Sequence, residues 1–199
     1  MKKSLILIAV TLFVLTSVSG QIATLKPYGL KSGIIEYIYS GDKVGKSTLY
    51  FDDYGLKSAM YTEAVEDGEK QKSWVVSFGD FQYMWDPDDP SGGMKMKNPL
   101  ITLMATTSIG DIESFTESTY TKMGFTKGAN ESFLGKECIV MKGNMGKVLT
   151  WHGILMVLDM KVVSISSHQE ATKVQENVSI DAKYFAIPKN VTFMELPGL

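Results

Sequence analysis

Few side chains in this 199-residue sequence suit nucleophilic or acid–base chemistry. One cysteine, Cys138, and two histidines, His152 and His168, supply the thiol and the imidazoles. A cysteine beside a histidine would make a nucleophile and its base. Cys138 sits in Glu137-Cys138-Ile139-Val140, the alternating pattern of a strand. No helix start and no glycine-rich elbow is there to lower its pKa, so a core thiol is expected. Trp151-His152-Gly153 sets an imidazole beside glycine on a strand, where it could face a cavity. A hydrogen-bonded structural histidine is the simpler expectation. Glu36, Asp52, Glu63 and Glu117 could in principle pair as glycosidase carboxylates, but no spacing rule links them among 22 acidic residues. A hydrolase therefore stands third among the readings.

Metal chemistry has two candidates. Asp86, Asp88 and Asp89 offer hard oxygens for calcium, yet their spacing does not match the twelve-residue calcium loop. The prolines and glycines of 86–93 describe a solvent-exposed connection instead. Met84, Met94 and Met96 bring soft thioethers close together, and thioethers select copper(I). Methionine is also an adaptable filler of cores and apolar grooves, which is the expectation here. No catalytic residue, metal or cofactor is assigned. The chain has no arginine, so the side chain best shaped for bidentate carboxylate or phosphate recognition is missing. The formal charge is -2, and becomes more negative if Lys2 and Lys3 are removed, which argues against nucleic acid.

Such a removal is expected. Lys2-Lys3, the apolar run Leu5–Leu15 and the small residues Val18-Ser19-Gly20 form the three regions of a secretory signal peptide, residues 1–20. The run is too short to span a bilayer comfortably, and no later stretch offers a transmembrane segment. The mature chain, 21–199, is expected as one soluble domain in the periplasm or another exported compartment. A lone cysteine fits such an address if it is buried. Asn130, Asn177 and Asn190 open Asn-x-Ser/Thr triplets, which matter only in a host that glycosylates exported proteins.

The elements that would position these residues are mostly strands. Gly33–Ser40, Ser47–Asp52 and Leu56–Ala64 alternate with period two. Trp74–Phe78 and Phe81–Trp85 flank Gly79-Asp80, a hairpin signal favouring glycine at the first central position. Asp67-Gly68 is a further turn pair. Short links imply antiparallel neighbours. Asn98-Pro99 reads as a helix cap followed by proline at the first helical position. A second helix is predicted to start at Ser108 and end at Gly124, with Ile109, Ile112, Phe115, Tyr120 and Met123 on one side. Strands return over Lys136–Met141, Val148–Trp151 and Ile154–Val163; Ile165–Val174 is ambiguous in pattern and reads as extended, and Tyr184–Pro188 reads as an edge segment. The fold class is mainly β with a helical insertion (α+β): a curved antiparallel sheet or incomplete barrel wrapped around one or two helices.

Aromatic and aliphatic residues occupy both faces of the early strands, which a sheet with one face in water does not need. An apolar cavity between sheet and helix would use them, as would a second covering layer or an oligomer interface. Tyr37, Tyr39, Phe51, Met60, Trp74, Phe78, Tyr83, Trp85, Phe115 and Trp151 are the candidate ligand-cavity wall.

Four stretches carry a resemblance: Thr48-Leu49-Tyr50-Phe51-Asp52-Asp53-Tyr54-Gly55, Leu134-Gly135-Lys136-Glu137-Cys138, Trp151-His152-Gly153-Ile154-Leu155 and Phe185-Ala186-Ile187-Pro188. The chain resembles a family of uncharacterised exported proteins of Bacteroidetes type, similar in plan to the outer-membrane lipoprotein-sorting carriers LolA and LolB. The resemblance implies a LolA-like incomplete barrel closed by helices around an apolar cavity for acyl chains. Those carriers use an arginine near the cavity, and its absence here favours the fold over the transport role. The expected function is a non-enzymatic envelope protein that binds or carries a hydrophobic ligand: an acyl chain, lipid or lipoprotein. The alternative is a structural or protein-interaction module of the envelope without a ligand cavity, with an envelope protein as partner.

Overall fold

The structure is a computed structural model that describes residues 25–107, 111–162 and 165–196. The signal peptide and the helix start expected at Ser108 lie outside the described residues. Among the described residues thirteen strands form one sheet. In chain order they are β1 (Gly33–Gly41), β2 (Lys43–Asp52), β3 (Lys57–Glu66), β4 (Glu69–Phe78), β5 (Phe81–Asp86), β6 (Asp89–Lys97), β7 (Thr126–Lys127), β8 (Glu131–Phe133), β9 (Lys136–Gly143), β10 (Gly146–Trp151), β11 (Ile154–Val162), β12 (Ile165–Glu176) and β13 (Phe193–Glu195). Helices α1 (Pro99–Ala105) and α2 (Ile112–Lys122) stand between β6 and β7. The strand order is β13-β6-β5-β4-β3-β2-β1-β12-β11-β10-β9-β7, with β8 against β9, and the path does not close. Every pair is antiparallel except β13 with β6.

Local chemistry explains most of the joints. Asp67 and Gly68 both have positive φ (54° and 82°), the hairpin turn that matches strand twist. Gly79 takes φ 55° at the first central position between Phe78 and Phe81, as the Gly-Asp order predicts. Asn98 caps α1, its side chain accepting from the backbone N–H of Leu100 and Ile101. Asp111 caps α2 by accepting from Ser114.

Three expectations change. The stretch 86–93 is not all loop: Asp89–Lys97 pairs with β5, and only a tight turn separates the two strands. Asp86 and Asp89 make that turn by accepting from the backbone N–H of Asp88 and Ser91. Tyr184–Pro188 is not an edge strand, because Asp181 caps a 3-10 turn over Ala182–Phe185 by accepting from Lys183. The edge is β13 instead. His152 lies in the β10–β11 turn, not on a strand, with φ 51°.

The sheet is curved. Adjacent residues Tyr28 and Gly29 donate to the carbonyls of Tyr54 and His152, both at 2.8 Å. Tyr54 follows β2 and His152 follows β10, with β1, β12 and β11 between these strands. A flat sheet would hold β2 and β10 about 19 Å apart at ~4.8 Å per strand. Register shifts in β1–β12 and β10–β11 supply the bends. The larger core joins Ile35, Tyr37, Leu49, Phe51, Cys138, Val140, Leu149, Ile154, Met156 and Ala171, and contains no helical residue. Phe125, Met141 and Val148 form a smaller one with Tyr120 of α2. Val140 and Met141 are consecutive on β9, so the two cores lie on opposite sides of that strand. The helices pack on the sheet beside the smaller core, around a groove they share with β11. α1 buries Ile101 and Met104, and α2 buries Phe115 and Thr116. What agrees with the LolA-like plan is the coarse part: mainly β, two helices, and a curved, unclosed, largely antiparallel sheet.

Candidate functional site

Strand register sorts the apolar residues of β2–β6 into two rows on opposite faces. One row runs Tyr61–Trp74–Trp85–Gly93–Phe193 across β3, β4, β5, β6 and β13. Its rings form a ladder: Tyr61–Trp74 at 4.9 Å and Trp74–Trp85 at 6.3 Å between centroids. The chain covers much of this ladder itself. After β12, residues 177–192 cross to the far edge of the sheet. On the way Tyr184 stacks on Tyr50 at 3.9 Å and 9°. Phe193 then meets Tyr83 and Trp85 edge-on at 5.4 and 6.1 Å. Its ring lies over Gly93, where a Cβ would approach to 2.7 Å.

The other row runs Leu49–Met60–Val75–Met84–Met94–Met194 across β2, β3, β4, β5, β6 and β13. It begins in the larger core at Leu49 and emerges into solvent: Met94 is 41% exposed and Met194 69%. Val75, Met84, Met94 and Met194 line a wide, mainly apolar trough of about 710 Å³, with Lys72, Asp86 and Ser91 among its polar residues. Thr192 and Phe193 of the crossing segment reach its wall, and its outer methionines stay open to solvent.

A second concavity, about 330 Å³, lies between the helices and the sheet. Leu100 and Leu103 of α1, Phe115 and Tyr120 of α2, and Leu155 and Leu158 of β11 are among its lining residues.

The ten candidate wall residues do not share one space. Tyr37 and Phe51 are buried in the larger core, where the Tyr37 hydroxyl donates to the Leu155 carbonyl at 3.0 Å. Met60 and Trp151 pack at the edge of that core. The hydroxyl of Tyr39 bonds Ser47 at 2.8 Å. Trp74, Tyr83 and Trp85 belong to the aromatic face, and Trp85 also touches the trough. Phe78 is 56% exposed with Lys57 over its ring. Phe115 alone of the ten lines the helix groove. Sequence reasoning singled out Met84 and Met94 but missed Met194 as their neighbour. The missing signal is long-range, since β13 reaches β6 from 100 residues away.

The chemistry-bearing side chains are engaged structurally. Cys138 is fully buried and its Sγ points to the Lys136 carbonyl at 3.6 Å. Burial raises its thiol pKa, the opposite of an activated nucleophile. His152 Nδ1 lies 3.2 Å from Glu113, and His168 lies 3.4 Å from Glu170. Asp88 pairs with Lys72 at 2.7 Å while Asp86 and Asp89 hold their turn. Among the described residues no three His, Cys, Asp or Glu side chains gather as metal ligands. Nor is any helix among them long and apolar enough to cross a membrane.

No protein-family model and no curated protein matches the chain. Among solved structures it is similar to an uncharacterized conserved protein from Thermus thermophilus. The two share 5% sequence identity at a TM-score of 0.52, over 92% of this chain and 99% of that one. At that identity the likeness speaks to the fold alone. More distant likenesses are to the Pseudomonas aeruginosa MucA/MucB complex (8% identity, TM-score 0.46, 87% of this chain and 62% of that one) and to LprF from Mycobacterium bovis (7%, 0.36, 83% and 96%). Neither is close enough to bear on function.

Proposed function

We propose that this chain is a non-catalytic protein-interaction module of the cell envelope, exported by its signal peptide, and that a partner protein docks in the methionine-lined trough. The observation that carries this reading is the apolar row that leaves the core at Leu49 and ends at two exposed methionines. Open apolar concavities suit partner side chains better than a diffusible lipid, which needs most of its surface enclosed. Unbranched, flexible methionine adapts to a protein surface. A photoreactive residue at position 94 tests the reading: it should give one discrete adduct with an envelope protein. An adduct unaffected by a Met194→Asp substitution would count against it.

A second reading rests on the groove between helices and sheet. Its apolar lining could hold one acyl chain, with burial contributing ~0.8 kcal/mol per CH2. A lipid retained by the purified protein through native mass spectrometry, and lost on Leu155→Asp substitution, would favour this reading over docking.

A further inference from the structure

We propose that Met84, Met94 and Met194 form a copper(I) site at the edge of the sheet. The three methionines stand directly opposite one another on β5, β6 and β13: Met84 pairs with Met94, and Met94 with Met194. Opposed residues on neighbouring strands hold their Cβ atoms ~4.5–5.5 Å apart on one face. All three line the same trough. Met96 follows Met94 by two residues and shares its face. Four of the twelve methionines of the chain thus gather in one corner, from positions as far apart in sequence as Met84 and Met194. Interior packing alone does not ask for this, because Met94 and Met194 are both exposed.

The donor set selects the ion. Thioethers are soft and neutral, so they favour copper(I) over zinc, calcium or magnesium. The adjoining residue of the row, Val75, is apolar, and the carboxylate that lines the trough, Asp86, is engaged in its turn by the Asp88 N–H. A monovalent ion needs less charge compensation in apolar surroundings than a divalent one. Each methionine arm has three rotatable bonds, so three sulfurs on adjacent strands of a curved sheet can turn toward a common point. The curvature matters, because the outer two arms span two strand spacings. The middle residue, Met94, is within reach of both neighbours and is the ligand the site depends on most. The ion would sit at the exposed end of the surface assigned above to a partner, but its binding requires no partner.

Anaerobic titration of the purified mature protein with copper(I), against a chromophoric copper(I) chelator, tests the site. One equivalent should be retained, with zinc and copper(II) failing to compete. Met94→Leu should weaken retention at least 10-fold and Met194→Leu less, while each keeps the apolar surface and volume. Met123→Leu, an exposed methionine at the helix groove, should change nothing. X-ray absorption on the loaded wild-type protein should show a shell of sulfur around the copper. No retained copper, retention indifferent to the Met84, Met94 and Met194 leucine variants, or a shell of nitrogen and oxygen would each overturn the proposal. Because partner crosslinking is read without copper, failure of either experiment leaves the other interpretable.

Discussion

At the scale of single residues, tight backbone approaches and buried polar tips decide more than charge does. Gly153 has φ +76°, and a Cβ there would lie 2.3 Å from Ile112 and 2.8 Å from the Pro27 carbonyl. Gly153→Ala therefore combines backbone strain with a clash between the β10–β11 turn, the N-terminal segment and α2. It should cost ~3 kcal/mol or more in chemical denaturation. Gly68, with φ +82° and open space around it, should cost only about 1 kcal/mol as alanine, from strain alone. Cys138 should resist a thiol reagent in the folded protein and react once denaturant unfolds it. Prompt reaction of native protein would contradict its place in the core. The phenols make a pH prediction. Burial pushes Tyr28 up to about 12 and Tyr37 well above its ordinary value. In both, folding favours the protonated form, so their contribution is complete below pH ~10. Between the unfolded and folded values the native state holds more protons, and stability falls as pH rises. Denaturant midpoints should be flat with respect to these groups below pH ~10 and drop steeply above it; a tyrosine-to-phenylalanine change at 28 should soften the drop. The sequence made the fate of Cys138 legible, because an alternating strand with no activating neighbour leaves a thiol little to do. It left His152 on the wrong element, since His-Gly lacks the Asn or Asp that usually marks the first central position of such a two-residue turn.

At the scale of elements, hairpins were the easiest to read. Asp67-Gly68 and Gly79-Asp80 carry their turn chemistry in two residues, so β3 to β5 follow directly. β6 was hidden because Pro87 and Pro90 look like loop, while most of its pairing, Gly93 to Lys97, follows them. β13 was hidden for a different reason: three residues in parallel pairing have no local pattern, and their partner is far away in sequence. Both ends of the sheet path are very short strands, β13 of three residues and β7 of two. Such ends present few unpaired backbone groups to another sheet. The crossing segment 177–195 is fastened by the Tyr184–Tyr50 stack, the Phe193 ring over Gly93, and bonds such as Gly93 N–H to the Thr192 carbonyl at 2.9 Å. Tyr184→Ala should lose ~0.5–1.5 kcal/mol of stacking beyond the area it uncovers. Limited proteolysis should then cut first within 177–192, and tryptophan emission should shift to the red as Trp74 gains water. Cleavage elsewhere with unchanged fluorescence would mean the stack does not fasten the segment.

At the scale of the whole molecule, the candidate surface is the part composition indicated without locating. Aromatic and aliphatic residues on both faces of the early strands were legible as an anomaly, and the structure divides them by destination. One face is answered by the chain itself, through Tyr184 and Phe193. The other leaves the core and stays open at Met94 and Met194. A candidate wall drawn from residue types alone mixed the two, because alternation assigns faces within a strand but cannot say which face a distant segment will cover. The central claim is that the open face, not the groove under the helices, is where this module meets its partner. The most direct measurement is crosslinking from a photoreactive residue at position 94, in envelope extract, with position 103 in the groove as comparison. A single protein adduct from 94, abolished by Met194→Asp and absent from 103, is the result the account predicts. Adducts with lipid from 103 and none from 94 would contradict it.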